Sequence, residues 1–394
     1  MAAALRMAWD AGDAVLPVAR DLTAPATAEL LASLRPASLT EVDTDGSVTT
    51  RTLEGGVPVD DDLALVVATS GSTGGPKGVE LPHDAVAAST AAGIARLGCG
   101  AGDRWALTLP THHVAGLQVI LRAWALGTAP VPMTEPAASA PDAPAGTEHV
   151  GVGGAAPAAS AGAEHVALVP TQLRRLLDAG ADLGRFATVL VGGARTPPEL
   201  LERARAAGAR VVVSYGMTET CGGCVYDGVP LDGVEVAIRH DGRVLLRGPV
   251  LFRRYRHDPA ATERARTPDG WLVTGDLGRL VDGHLEVVGR ADDVVITGGE
   301  NVPVETVTAR LRTHPTVADV AVVGRPDPEW GEVLVAVVVP RPGGVPQLAD
   351  LRAHVRDRHP AAYAPRALVL VERLPRDRMG KIALAELRDL TRDP

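Results

Sequence analysis

The sequence predicts an α/β protein. A large N-terminal domain with mainly parallel sheets and a small antiparallel β region precedes a small, mobile α+β C-terminal domain. From residue 63 to 214, short apolar runs alternate with helical stretches, as in a parallel sheet. From 229 to 289, short strands alternate with Gly and Asp turns, which is typical of antiparallel β structure. Beyond Gly289 helices and strands mix. We therefore predict an N-terminal domain at 1–290 and a C-terminal domain at 291–394.

The composition excludes several classes of protein. The chain has 394 residues, 46% hydrophobic and 22% charged, which suits two folded domains rather than a disordered chain. A net charge of -9 argues against a general nucleic-acid binder. No apolar run is long enough to span a membrane, the N-terminus lacks a signal-peptide pattern, and three cysteines form no disulfide framework. We expect a cytoplasmic protein with no nucleic-acid or membrane partner, and the sequence is compatible with a homodimer.

The elements follow from local patterns. The first 60 residues look irregular or weakly helical, and 135–163, rich in Ala, Gly and Pro, look like a loose connection. β-branched apolar runs predict strands at 63–68, 105–109, 167–169, 189–191, 210–214, 319–324, 334–339 and 366–371. Longer Ala-, Leu- and Arg-rich stretches predict helices at 83–97, 117–126, 171–179, 198–207, 304–311 and 348–358.

The segment SGSTGGPKG, residues 70–78, is the strongest chemical signal. Its glycines allow backbone N–H groups to approach phosphate oxygens, its hydroxyls add donors, and Lys77 adds charge. It is neither a Walker A loop nor a dinucleotide fingerprint. Of 39 basic residues only Lys77 and Lys381 are lysine, which suggests that a compact charge is needed at both positions.

Five ordered motifs together resemble the adenylate-forming superfamily of acyl-CoA synthetases, adenylation domains and luciferases. They are TSGSTGGPKG at 69–78, SYGMTET at 214–220, TGDLG at 274–278, GRADD at 289–293 and PRDRMGK at 375–381. The resemblance covers roughly residues 63–394 and implies the adenylate-forming enzyme fold with a shortened first subdomain. It also implies ATP and Mg²⁺ as cofactors and CoA as cosubstrate.

The resemblance implies a role for each motif. In the nucleotide site, Tyr215 would stack on adenine, Thr218 would contact the α-phosphate, and Glu219 would ligate Mg²⁺. The remaining nucleotide-binding residues would be Thr69, Ser70, Gly71, Ser72, Thr73, Gly74, Lys77, Gly193, Ala194, Ser214, Gly216, Met217, Asp276 (to the ribose hydroxyls) and Arg290. Lys381 would bridge the acid and the α-phosphate. Asp292 would be the hinge, and Gly298 and Gly299 would face the thiol.

Four further residues are candidates for acid binding. His113 stands where the family has a gating residue and is assigned to catalysis and substrate binding, while Gly192 and Gly193 would line the acyl pocket. Arg195 is suited to pair with a second carboxylate, because a guanidinium binds one bidentately. The competing interpretations are a structural histidine and a surface arginine. Between Cys221 and Cys224, Gly222 and Gly223 are expected to form a turn rather than part of a zinc site.

The wider pattern is similar to the actinobacterial branch of this family that activates o-succinylbenzoate for menaquinone biosynthesis. The segments involved are THHVAGLQV, LVPTQL, VLVGGA, YGMTETCGGCVYDGVPLDGV and RPDPEWGE. This implies an AMP-forming acid–CoA ligase. Two alternatives stay open: an enzyme for another aryl or acyl acid, with CoA or a carrier protein as acceptor, and an inactive nucleotide-binding homologue.

Overall fold

The computed structural model of the chain describes residues 1–42, 47–70, 76–133, 162–291, 294–376 and 382–391. The chain divides into two compact units. The first unit comprises Met1–Val236, Leu246–Val273 and Gly283–Leu285. The second unit comprises Ala237–Leu245, Thr274–Asp282 and Glu286–Pro394.

The first unit has two helices and two strands before the predicted α/β region. These are α1 (Ala2–Asp10), α2 (Ala24–Leu34), β1 (Ser38–Val42) and β2 (Val48–Thr52). The start of the chain is therefore more regular than its sequence predicted. The Thr23 side chain caps α2, and Leu30 and Leu34 of α2 pack in one buried cluster with Val66. Burial against residues distant in sequence thus stabilises a helix of weak local pattern.

A seven-stranded sheet forms the centre of the first unit. Its region contains β5 (Trp105–Leu107), α4 (Val114–Ala125), β6 (Val131–Pro132), β7 (His165–Leu168), α5 (Pro170–Asp178), β8 (Thr188–Val191), α6 (Pro198–Ala206), β9 (Val211–Met217), β10 (Gly222–Tyr226) and β11 (Val229–Pro230). The strand order is β11-β10-β9-β8-β7-β5-β6. The five strands from β9 to β6 run parallel, and β10 and β11 are antiparallel to their neighbours. The prediction of a mainly parallel sheet is confirmed.

The prediction of a turn at Gly222 and Gly223 is wrong, because both residues belong to β10. The turn comes just before them, as a 3₁₀ helix at Thr218–Thr220 followed by Cys221 in the left-handed conformation, with φ of 54°. The two glycines resemble a turn in sequence, but Gly223 lies too close to Ser214 of β9 for a side chain, and Gly222 has a φ of 104° that favours glycine.

A second sheet of the first unit is a hairpin with one short added strand. It consists of β3 (Leu63–Ser70), β4 (Pro76–Pro82) and β14 (Arg254–Tyr255), in the order β14-β4-β3. Two further helices, α3 (His83–Leu97) and α7 (Pro259–Arg264), follow β4 and β14 in the chain. In β4, Glu80 is 1% exposed and pairs with the buried Arg256 at 3.1 Å. This buried ion pair ties β4 to the segment that carries β14.

The region from 235 to 290 forms a four-stranded sheet, most of whose residues belong to the second unit. Its strands are β12 (Glu235–Ile238), β13 (Arg243–Arg247), β15 (Leu272–Val281) and β16 (His284–Arg290), in that order. Asp282 and Gly283 join β15 to β16 with φ of 50° and 79°, the geometry of a tight hairpin turn. The predicted antiparallel β region is therefore present.

The remainder of the second unit is the predicted α+β body. Its elements are β17 (Val294–Thr297), β18 (Glu300–Pro303), α8 (Val304–Arg312), β19 (Val317–Asp327), β20 (Gly331–Pro340), α9 (Leu348–Arg356), β21 (Ala367–Leu370) and α10 (Leu384–Asp389), with a 3₁₀ helix at Ala361–Tyr363. The sheet order is β18-β17-β20-β19, and β21 pairs with β20 in parallel. Two apolar clusters, one around Leu311 and one around Leu387, contain alternate residues of β19 and β20 and therefore lie on opposite faces of this sheet.

The predicted boundary at residue 290 stays a prediction. The predicted loose connection at 135–163 falls almost wholly outside the described residues. Within the described part of the chain, no helix is both long and apolar enough to cross a membrane.

Candidate active site

The chemically distinctive residues of the first unit follow the carboxyl ends of parallel strands. His113 follows β5, Gly192 and Arg195 follow β8, and Thr218 and Glu219 follow β9. Because β8 and β9 are neighbours in the sheet, the last two groups leave it side by side. This edge of a parallel sheet is where α/β proteins bind their ligands.

The turn after β8 needs close backbone approach. The Gly192 amide donates to the Leu168 carbonyl at 3.1 Å, and a Cβ on Gly192 would lie 3.1 Å from the Ser214 carbonyl oxygen. Gly193 has a φ of 77°, which a residue with a side chain rarely adopts. Ala194 and Arg195 follow and are exposed, so this turn presents the predicted adenine and acid contacts to solvent.

The end of β9 is packed tightly against β10. A Cβ on Gly216 would lie 2.0 Å from the Gly222 carbonyl oxygen, and one on Gly223 would lie 2.0 Å from Ser214 Oγ. Side chains at these two glycine positions would push the strands apart. The glycines therefore fix the backbone that carries Ser214, Tyr215, Gly216 and Met217.

The 3₁₀ turn after β9 holds Thr218 and Glu219 in a fixed shape. The Thr220 hydroxyl accepts from the Met217 amide at 2.9 Å and donates to the Gly222 carbonyl at 2.6 Å. The Phe252 amide donates to the Glu219 carbonyl at 2.8 Å. The backbone around Glu219 is thus fixed from both sides.

A residue that the sequence analysis missed, Tyr255, contacts the side chain of Glu219. The Tyr255 hydroxyl donates to Glu219 Oε1 at 2.7 Å, and Lys77 Nζ lies 5.6 Å from the centre of the Tyr255 ring. Burial, followed by the charge of Glu219, raises the pKa of Tyr255 well above its usual range, so the hydroxyl stays a donor. The motif search gave no signal for Tyr255, because its partners lie far away in sequence.

Glu219 fits a magnesium ion. Its Oε2 makes no hydrogen bond with the residues that the structure describes, and its side chain is only partly buried. Mg²⁺ takes hard oxygen ligands and is usually held by one or two carboxylates together with phosphate. The described residues contain no group of three or more His, Cys, Asp or Glu placed to hold a metal, including around Cys221 and Cys224.

The paired strands β3 and β4 carry the two ends of the predicted phosphate loop. Ser70 pairs with Pro76, and Thr69 pairs with Lys77 in the strand register. Thr69 Oγ1 donates to the Lys77 carbonyl at 3.4 Å. Gly71, Ser72, Thr73 and Gly74 lie outside the described residues, so the structure places only the two ends of this loop.

His113 is the residue immediately before α4. Its amide donates to the Pro110 carbonyl at 3.2 Å, and its half-buried ring lies 4.1 Å from that of His112. Burial lowers the pKa of His112, which keeps that ring neutral near pH 7.

In the second unit, Asp276 and Arg290 lie close to each other. Arg290 Nη1 is 3.7 Å from Asp276 Oδ1, and the Asp276 amide donates to Thr274 Oγ1 at 3.1 Å. The end of the Arg290 side chain also lies over Gly275, where a Cβ would be 2.7 Å from Arg290 Nη2. The sequence-predicted ribose ligand and its arginine are therefore held together.

The predicted thiol-facing glycines connect β17 and β18. Gly298 and Gly299 have φ of 59° and 82°, and the Gly298 amide donates to the Trp330 carbonyl at 2.9 Å. A Cβ on Gly298 would lie 2.9 Å from the Trp330 ring. The other two predictions for this region, the hinge Asp292 and the catalytic Lys381, lie outside the described residues.

Two family models match the chain. One described as AMP-binding enzyme matches residues 9–256, and one described as AMP-binding enzyme C-terminal domain matches residues 306–381. A probable 2-succinylbenzoate–CoA ligase of Mycobacterium tuberculosis is 41% identical over 373 residues, which cover 93% of this chain and 94% of the relative.

Two solved structures are also similar, both of o-succinylbenzoate CoA synthetase from Bacillus subtilis. One, in complex with the acyl-adenylate intermediate, is 29% identical with a TM-score of 0.72 and covers 82% of this chain and 69% of that one. The other, in complex with ATP and a magnesium ion, is 28% identical with a TM-score of 0.71. The match covers 82% of this chain and 70% of that one.

Proposed function

This chain belongs to the AMP-binding enzyme family, and on that basis we propose that it is an AMP-forming acid–CoA ligase acting on 2-succinylbenzoate (o-succinylbenzoate) in menaquinone biosynthesis. ATP and CoA are its cosubstrates, and Mg²⁺ is its metal. The observation that supports the reaction class most strongly is the placement of Glu219 and Lys77 around Tyr255. The choice of acid rests on the named relatives.

The first half-reaction joins two anions. A carboxylate oxygen of the acid attacks the α-phosphorus of ATP, the bond to the leaving oxygen breaks, and pyrophosphate departs with an acyl adenylate left behind. Positive charge is needed to bring these groups together. We assign Lys77 to the outer phosphates, Thr218 to the α-phosphate, and Lys381 to the junction of acid and phosphate. Bound Mg²⁺, held by Glu219, would neutralise phosphate charge.

The second half-reaction transfers the acyl group. The CoA thiol loses its proton and attacks the acyl carbon, and the carbon–oxygen bond to AMP breaks. We assign Gly298 and Gly299 to the backbone face that the thiol arm passes, because glycines there leave the backbone open. Asp292 is proposed as the hinge between the two half-reactions. These roles come from the motifs.

Recognition of the nucleotide and of the acid uses two sets of residues that share Gly193. We assign Tyr215, Gly193 and Ala194 to adenine, and Asp276 and Arg290 to the ribose. For the acid, His113, Gly192 and Gly193 would line the pocket around the reacting succinyl arm. Arg195 is exposed after β8 and would pair with the ring carboxylate.

The chemistry also defines the surroundings of the enzyme. We propose a cytoplasmic location, where ATP and CoA are available, and no nucleic-acid or membrane partner, since the net charge is -9. A homodimer is proposed as the oligomeric state, and light scattering of the purified chain tests it.

The test measures AMP release and thioester mass with ATP, Mg²⁺ and CoA. The acid is 2-succinylbenzoate or one of a panel of aryl and fatty acids, and Glu219→Gln is the inactive control. We expect 2-succinylbenzoyl-CoA to form with a kcat/KM far above that of the other acids. Turnover of another acid alone would overturn the substrate assignment and keep the reaction class. Adenylate formation without transfer to CoA would favour a carrier-protein acceptor, and ATP binding without any adenylate would favour the inactive homologue.

A further inference from the structure

The Tyr255 side chain lies against both Glu219 and Lys77, two charged residues of the proposed phosphate and metal site. Its hydroxyl donates to Glu219 Oε1 at 2.7 Å, and its ring lies 5.6 Å from Lys77 Nζ. Neither family motif that contains these two charged residues contains the tyrosine.

The position of Tyr255 is fixed by its own neighbours. In β14 it pairs with Val79 of β4, two residues beyond Lys77. Its amide donates to Thr262 Oγ1 at 2.9 Å, and its ring packs against Phe252 at 4.9 Å between centres. The side chain is therefore a rigid support, not an adaptable one.

We propose that Tyr255 is a positioning residue that orients Glu219 toward Mg²⁺ and Lys77 toward the outer phosphates of ATP. The inference rests on the proposed function and extends it to a residue outside the motifs. The hydroxyl occupies Oε1 of Glu219 and leaves Oε2 for the metal. The ring face attracts the Lys77 ammonium, as aromatic faces attract cations within about 6 Å.

The two interactions can be separated by substitution. Tyr255→Phe removes the hydroxyl and keeps the ring, so it should weaken the metal contribution alone. Tyr255→Leu removes both, so it should also disturb Lys77. Because hydrogen bonds to charged groups are stronger than neutral ones, losing this bond should change the Mg²⁺-dependent part of the ATP affinity by about tenfold.

The experiment is calorimetric binding of ATP to the full chain, with Mg²⁺ and with a chelator. For Tyr255→Phe we expect the gain in ATP affinity from Mg²⁺ to fall by about tenfold, with metal-free affinity unchanged. For Tyr255→Leu we expect metal-free ATP affinity to fall as well. Equal weakening of ATP by Tyr255→Phe with and without Mg²⁺, or no weakening, would overturn the proposal.

Tyr226→Phe is the matched control. Tyr226 is also a buried tyrosine, and its hydroxyl accepts from Arg122 at 3.0 Å. Tyr226→Phe should lose stability but keep the gain in ATP affinity from Mg²⁺. If that gain fell equally in Tyr226→Phe and Tyr255→Phe, the role of Tyr255 would be structural. If Tyr255→Phe does not fold, Thr262→Val removes the hydroxyl that accepts from the Tyr255 backbone amide and so loosens the strand residue that carries the ring. This variant should shift the metal effect in the same direction, and no shift would overturn the proposal.

This binding experiment contains no acid and no CoA. If 2-succinylbenzoate is the wrong acid, the magnesium effect on ATP still tests Tyr255. If the Tyr255 variants bind Mg²⁺ and ATP like the parent protein, the substrate assignment is untouched. The two proposals therefore fail separately.

Discussion

Gln118 Nε2 donates a 2.8 Å hydrogen bond to the carbonyl of Cys221, and both residues are buried. Gln118 lies on α4, which begins directly after His113, and Cys221 ends the turn that carries Glu219. Thr90 Oγ1 donates in turn to Gln118 Oε1 at 3.3 Å. One amide side chain therefore connects the helix behind the predicted acid gate to the turn of the predicted metal ligand.

Gln118→Met should weaken that connection. Methionine fills the space but removes the 2.8 Å bond and, among the described residues, leaves the Cys221 carbonyl with the 3.3 Å bond from Ser89. We expect about 1–3 kcal/mol less stability in urea unfolding and a fall in kcat for AMP release. Ser89→Ala is the control, because it removes the 3.3 Å bond to Cys221 and the 3.4 Å bond from Gln118 but keeps the 2.8 Å bond. It should have the smaller effect. Unchanged kcat in Gln118→Met would show that the turn holds its shape without the glutamine.

Removing one partner of the buried Glu80–Arg256 pair should be costly, because the remaining buried charge loses its counter-charge. Glu80 is 1% exposed, so Glu80→Gln leaves Arg256 without its counter-charge. We expect urea unfolding to show a loss of about 3–5 kcal/mol. The exposed pair Arg203–Asp178, at 2.6 Å, is the control, and Asp178→Asn should cost roughly 1 kcal/mol or less. Similar losses in the two variants would contradict this difference between buried and exposed pairs.

Arg195→Ala tests the selection of a dicarboxylate. We expect KM for 2-succinylbenzoate to rise by about tenfold, while KM for an analogue without the ring carboxylate changes little. Arg195→Lys keeps the charge and loses the bidentate geometry, so its KM for 2-succinylbenzoate should lie between those of the parent protein and Arg195→Ala. An equal rise in KM for both acids would remove Arg195 from the acid site.

The three thiols should react slowly in the native protein. Burial raises the pKa of Cys99 to about 11 and of Cys224 to about 12, and it raises that of Cys221 further. Because the thiolate reacts, labelling at about pH 8 should be slow and should accelerate about tenfold per pH unit. All three cysteines should label at once in urea. Rapid native labelling of Cys221 or Cys224 would contradict the effect assigned to burial.

Lys381→Ala should separate the half-reactions. The motif assigns Lys381 to adenylation, so we expect most AMP formation from ATP to be lost. Conversion of a supplied acyl adenylate and CoA to thioester should continue, because that step needs no lysine at the α-phosphate. Equal loss of both steps would refute the assignment.

Local sequence patterns predicted the elements whose structure depends on nearby residues. The β-branched run at 63–68, the helix at 83–97 and the Asp282–Gly283 turn needed no distant information. The motifs also located Glu219 and the two glycines after β8 at the carboxyl edge of the sheet. These features follow from the period of apolar residues and from the chemistry of each motif.

Features that depend on distant residues could not be predicted in this way. Tyr255 meets Glu219 across 36 positions in sequence, and Gln118 meets Cys221 across 103. Gly222 and Gly223 resemble a turn locally, but Gly223 is required by the close approach of Ser214 on β9, and Gly222 by its φ of 104°. The helix at Ala24–Leu34 needs the β3 residues that cover it.

The most direct test of the central claim is a single-turnover reaction of enzyme in excess over ATP, with Mg²⁺ and 2-succinylbenzoate and without CoA. We predict pyrophosphate release and retention of a 2-succinylbenzoyl adenylate on the protein, followed by its conversion to 2-succinylbenzoyl-CoA and AMP when CoA is added. Failure to form the adenylate from this acid, in protein that binds Mg²⁺ and ATP, would contradict the proposed function.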